Sequence, residues 1–118
     1  MTNQIEVEQR TICEKVGANF IESPDHFKVG ISLNVKNGLR PINGLRIEQV
    51  GNTCGWYIWA GEWSDDPNFF VPVHVAHLSE WSTLIPKYLG LPPGWRFLVA
   101  EGYEDVWEDK QLLTKPEV

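Results

Sequence analysis

Gly55-Trp56-Tyr57-Ile58-Trp59-Ala60-Gly61-Glu62-Trp63 gathers three of the chain's six tryptophans and one tyrosine around two glycines. Large aromatic side chains pack well on the pleated surface of a strand, where successive residues face opposite sides. Residues 55–61 therefore read as a central strand, with Trp56, Ile58 and Ala60 on one face and Tyr57 and Trp59 on the other. Both faces then need cover, which keeps the strand away from an exposed edge. Ordinary burial accounts for most of these aromatics. Trp63, beyond Gly61 and beside acidic residues, is the one expected to reach solvent.

Working outward toward the N-terminus, residues 3–16 read as an amphipathic helix. Asn3 can cap it, with Glu6 three residues on, Ile5, Ile12 and Val16 share a side, and Gly17 can take the left-handed closing position. After a turn at Ser23-Pro24-Asp25, the residues Phe27, Val29, Ile31, Leu33 and Val35 alternate with polar ones, which predicts a half-buried strand. Lys36-Asn37-Gly38 is a hairpin-type turn in which Asn-Gly supplies two positive φ values. Pro41 and a second Asn-Gly pair make residues 39–45 a structured loop.

Toward the C-terminus, residues 64–68 form a loop by composition. Pro72 argues for an edge or an irregular position in the short extended segment 69–73. Leu78, Trp81, Ile85 and Tyr88 recur at helical steps, so residues 76–89 carry the second helix. Pro86 either kinks it or opens a second short piece. Trp95 to Ala100 follows as a buried strand, Glu101-Gly102 turns the chain, and residues 103–109 run as an acidic strand or loop. The tail 112–118 is expected to fray. The expected fold is α+β, a single domain over residues 1–118, with a mainly antiparallel sheet and two helical segments packed on it.

A chain of 118 residues with 42% hydrophobic and 22% charged residues suits one globular domain with its own core. No apolar run approaches the roughly 20 residues needed to cross a bilayer, so no membrane partner is expected. The N-terminus lacks the basic start and apolar core of a secretory signal, which makes the cytoplasm the expected compartment. Cys13 and Cys54 lack metal or redox spacing and read as free structural thiols.

The charge of −6 is unevenly placed: residues 1–59 hold six acids and six bases, whereas residues 60–118 hold ten acids and four bases. Phosphate binding needs the opposite sign, so nucleic acid is not an expected partner and a basic protein is. The acidic, partly aromatic group Glu62, Trp63, Asp65 and Asp66, with Glu104, Asp105 and Glu108 further on, is the candidate partner-binding surface. The competing reading is a solvated face.

Catalytic chemistry finds little support. His74 and His77 would need a third ligand such as Asp65 or Asp66 to hold a metal, and helix capping explains them as well. The acids at 101–109 could in principle supply an acid and a base. Neither a phosphate loop nor a nucleophile elbow is present. The chain is read as a non-enzyme without cofactor, catalytic residue or metal. The alternative is a small-ligand or peptide-binding module whose aromatic strand lines a pocket at Trp56, Tyr57 or Trp59, and a His74–His77 metal-dependent enzyme comes third.

Several segments in fixed order carry a further signal: Pro41-Ile42-Asn43-Gly44-Leu45-Arg46, residues 55–62, Asp65-Asp66-Pro67-Asn68-Phe69-Phe70, His74-Val75-Ala76-His77-Leu78, residues 91–98, and Tyr103-Glu104-Asp105-Val106-Trp107. Together they resemble a bacterial immunity-protein family, the one numbered thirty-three among those of polymorphic toxin systems, over about residues 28–113. The resemblance implies stoichiometric binding of a cognate toxin domain, with no catalytic residues to carry over. The acidic second half suits a basic toxin.

Overall fold

The computed structural model describes residues 4–113. The strands are β1 (Lys28–Ser32), β2 (Ile42–Arg46), β3 (Thr53–Ala60), β4 (Phe70–His74), β5 (Trp95–Ala100) and β6 (Tyr103–Glu108). They form one six-stranded sheet in the order β4-β1-β3-β2-β5-β6. The tryptophan stretch is thus an interior strand, and the Pro72 segment is an edge, as the sequence predicts. The sheet is mainly antiparallel but mixed, because β1 and β3 run parallel. The cause is the connection from β1 to β2, which passes the place that β3 fills between them.

Helix α1 (Gln4–Val16) turns Ile12, Cys13 and Val16 to the core. Gly17 closes it at φ +74°, with the Ala18 N–H donating to the Cys13 carbonyl at 2.8 Å. The Asn3 cap lies outside the described residues, as does the tail from 114. Leu112 and Leu113 belong to a short 3-10 turn rather than to a frayed end.

Three expectations are corrected by tertiary packing. The strand expected through Val35 stops at Ser32, and Leu33–Val35 form a 3-10 turn that exposes Leu33 and buries Val35. Asn34 bends the chain there, accepting from the Ser32 hydroxyl and donating from its amide to the Ala60 carbonyl at 2.9 Å. In the turn that follows, Gly38 alone takes a positive φ and Asn37 does not.

The loop expected at 39–45 contains β2, which pairs with β3 on one side and β5 on the other. Gly44 is no turn residue. It lies under the Phe97 ring, and a Cβ there would fall inside that ring, so this glycine permits close packing between strands.

The second helix shrinks to α2 (Leu78–Trp81), flanked by 3-10 turns at Val75–His77 and Pro86–Tyr88. Pro86 opens the last of these pieces. The apolar spacing forecast burial correctly, since Leu78, Ile85, Tyr88 and Leu89 are all in the core. The helix it predicts over residues 76–89 is limited to α2 and the two 3-10 turns. No helix among the described residues is long and apolar enough to cross a membrane.

Alternation along β3 divides the sheet. Cys54, Trp56, Ile58 and Ala60 face the layer built from α1, α2 and the 3-10 turns, and with Ile31, Ile42, Phe97 and Val99 they form the core. Among the described residues no α-helix packs on the other face.

Candidate functional site

Strand register fixes what the helix-free face displays. One row across it runs Trp59, Asn43, Leu98, Asp105, and the next runs Pro72, Gly30, Tyr57, Leu45, Arg96, Trp107. Phe70 stands on the same face at one edge, and Tyr103 at the other. The loop after β3 folds back over this face. Its Trp63 ring packs edge-on against Trp59 at 5.0 Å and tilted against Phe70 at 5.1 Å, while Phe70 also meets Tyr57 at 5.3 Å and Phe69 at 4.9 Å. Trp59 is buried beneath this group, yet Trp63 itself stays 50% exposed.

An aromatic side chain held by neighbours and still half in water is already ordered before it meets a partner. The entropic cost of fixing it on binding is correspondingly reduced. The Trp63 indole N–H donates to the Asp65 carboxylate at 3.1 Å. Asp66 accepts from the Asn68 N–H at 2.8 Å, and the Asp66 N–H donates to the Ser64 hydroxyl at 3.1 Å. These side-chain-to-backbone bonds shape the loop. Glu62, Asp65 and Asp66 are exposed around Trp63, so an apolar knob sits in a negative collar.

Leu39 joins this end of the sheet. It is exposed yet lies against Gly61, where an added Cβ would approach its Cδ2 to 3.1 Å, and the Gly61 N–H donates to the Pro41 carbonyl at 2.9 Å. The 39–41 and 61–63 segments therefore form one end of the face.

The seven candidate residues do not form one patch. Glu62, Trp63, Asp65 and Asp66 are together, and Asp105 shares the face three strands across from Trp59. Glu104 and Glu108 alternate with Asp105 and point to the other side of β6. Glu104 is already engaged there: it accepts from the Tyr88 hydroxyl and lies 3.6 Å from the Lys87 ammonium. Burial first, and the bond to that carboxylate second, push the Tyr88 phenol well above its ordinary range.

A second feature lies beside the aromatic strand. Between β1, β3 and the 47–53 turn lies a hollow of about 310 Å³, lined by Gly30, Gly55, Ile47, Val50, Tyr57, Phe70 and Pro72 among others. Trp56 and Tyr57 both contribute, so the concave site expected beside the aromatic strand exists here. Gly55 has φ +89°, and a Cβ on it would collide with the Ile47 carbonyl. The strand and the turn therefore close up only over a glycine.

The helix-covered face hides Arg46, which is 0% exposed. Its Nε donates to the Cys54 carbonyl at 2.8 Å, Nη1 to those of Ile21, Leu89 and Leu91 at 2.8, 3.5 and 2.7 Å, and Nη2 to that of Glu22 at 3.1 Å. Burial lowers its pKa. Every acceptor is a main-chain carbonyl, so this guanidinium ties the 21–22 and 89–91 segments to β3. The role is architectural. It would have been legible only once residues 42–46 were read as a strand, with Ile42, Gly44 and Arg46 inward.

The histidines are spread at the surface. His74 and His77 have ring centres 6.2 Å apart, and His77 Nδ1 lies 2.8 Å from the Glu80 carboxylate. Among the described residues no group of three or more His, Cys, Asp or Glu is placed to hold a metal ion. Cys13 and Cys54 are buried free thiols, and desolvation raises the Cys13 pKa, which keeps it in its unreactive form.

Compared with known proteins, residues 8–109 match the family model described as Imm33-like domain. The match starts about twenty residues before the span of the resemblance read from the sequence, residues 28–113, and takes in most of α1. No curated protein and no solved structure gives a significant match.

Proposed function

The chain belongs to the Imm33-like family, and from that premise we propose that it neutralises a toxin domain by stoichiometric binding through the helix-free face of its sheet, without chemistry of its own. Membership points to an immunity-type protein and to a toxin as the kind of partner. The observation that carries the choice of surface is Trp63, half exposed on a loop held by Trp59 and Phe70 and ringed by Glu62, Asp65 and Asp66. Binding energy concentrates in such aromatic anchors, and surrounding charge speeds encounter with an oppositely charged surface. The partner is accordingly a basic toxin domain met in the cytoplasm.

The experiment is coexpression with a toxin-like domain, where one is encoded beside the gene, followed by titration calorimetry. A one-to-one complex that rescues growth is expected. Reversing Asp65 and Asp66 to lysine should slow association by roughly tenfold or more at low salt and flatten its salt dependence. An unchanged association rate would remove the loop from the interface, and no complex with a folded partner would refute the toxin-binding reading.

A further inference from the structure

We infer that the hollow beside Tyr57 receives a single uncharged apolar side chain, aromatic or branched aliphatic, from the same protein partner that Trp63 contacts; this rests on the toxin-binding reading above. The interface then has a knob and a hole on one face. Trp63 enters the partner, and the partner's own anchor enters between Tyr57, Pro72 and Val50.

The hollow has room for a large apolar side chain. At about 310 Å³ the hollow stands at the bottom of the roughly 300–1,000 Å³ range of small-molecule pockets, and it opens onto the sheet face. Its lining is apolar at Ile47, Val50, Tyr57, Phe70 and Pro72, and Gly30 and Gly55 add only backbone to it. Two charged residues, Lys28 and Glu48, also line it with opposite signs, so their fields oppose each other and neither an anionic nor a cationic anchor is favoured.

Position argues for the same partner. Phe70 forms one wall of the hollow and packs on both Tyr57 and Trp63, so knob and hole are joined by a single ring. The acidic collar at the knob fits Lys or Arg on the partner beside its apolar anchor. A second copy of this chain would instead bring a like-charged collar to the same face.

The test uses the full chain, labelled with ¹⁵N, and indole as the probe. Indole should shift the amide signals of Gly30, Gly55 and Tyr57. Val50, 70% exposed at the rim, can be changed with little risk to folding. Val50→Asp should weaken both indole and the neighbouring-gene toxin domain by about tenfold, with the loss for the toxin appearing in dissociation rather than association.

Shifts that fall elsewhere, or a toxin affinity unchanged in Val50→Asp, overturn the hollow while leaving the complex standing. If wild-type protein binds indole at Gly30 and Gly55 but forms no complex with the toxin domain, a protein anchor is refuted and the hollow is a small-ligand site.

Discussion

The two faces of the sheet solve opposite problems with similar materials. The covered face takes in a cation and hides it: Arg46 is wholly buried, its donors spent on main-chain carbonyls of two connecting segments and β3. The open face keeps aromatic surface in water, where Trp63, Tyr57 and Tyr103 are all substantially exposed. Burying a guanidinium is costly unless its hydrogen bonds are made, and leaving large rings in solvent forgoes their hydrophobic stabilisation. One face therefore sets the fold, and the other leaves apolar surface in water.

The sharpest way to break this comparison is at Arg46. Arg46→Met keeps apolar bulk but leaves the carbonyls of Ile21, Glu22, Cys54 and Leu91 without this donor. Urea unfolding should show a loss of about 3–5 kcal/mol. Arg46→Lys should recover part of it, since an ammonium reaches fewer of these acceptors. A loss below about 1 kcal/mol in Arg46→Met would mean that water serves the carbonyls equally well.

Trp63 should behave in the reverse way. Trp63→Ala removes an exposed ring whose neighbours Trp59 and Phe70 still pack on the sheet, so the urea midpoint should move little, by less than about 1 kcal/mol. Affinity for the toxin domain should fall by about 2 kcal/mol, roughly thirtyfold. If stability falls more than binding does, the ring is a lid over Trp59 and not a reserved contact.

How much of this contrast could be read from the chain follows from what each face needs. The two-faced strand read at 55–61, which forms at Thr53–Ala60, and the exposed Trp63 were legible because alternation and aromatic bulk are local signals. The resemblance to the immunity family was legible from ordered segments, and the family model extends it to α1. Arg46 stayed hidden because Asn43-Gly44 resembles a turn until Phe97, more than fifty residues away, is placed over Gly44. The candidate acids split because period-two alternation sends Glu104 and Glu108 to the side opposite Asp105. That consequence was implicit in reading residues 103–109 as a strand. The aromatic strand pointed to a concave site at Trp56 or Tyr57, but the other walls of the hollow were not legible, since they depend on β1 and β3 lying side by side.

The smallest effect tests whether the covered face is sealed against ionisation. Tyr88 is fully buried, stacks on Phe97 at 4.4 Å, and donates to Glu104. Its phenol is held above the ordinary range, by burial first and by that bond second. In the unfolded chain it ionises near pH ~10. Its contribution is therefore fully present below pH ~10 and is lost as pH climbs toward the higher folded pKa, because only the unfolded state then releases the proton. The loss approaches about 1.4 kcal/mol per pH unit for this one group. Tyr88→Phe should be slightly less stable at neutral pH, through the lost bond to Glu104, and should lack this component of alkaline destabilisation. Urea midpoints of both proteins between pH 9 and 11 give the slope by difference, in which the exposed tyrosines of the open face cancel. Parallel curves would mean that Tyr88 ionises in the folded protein as readily as in water, and that the covered face admits solvent beside β6.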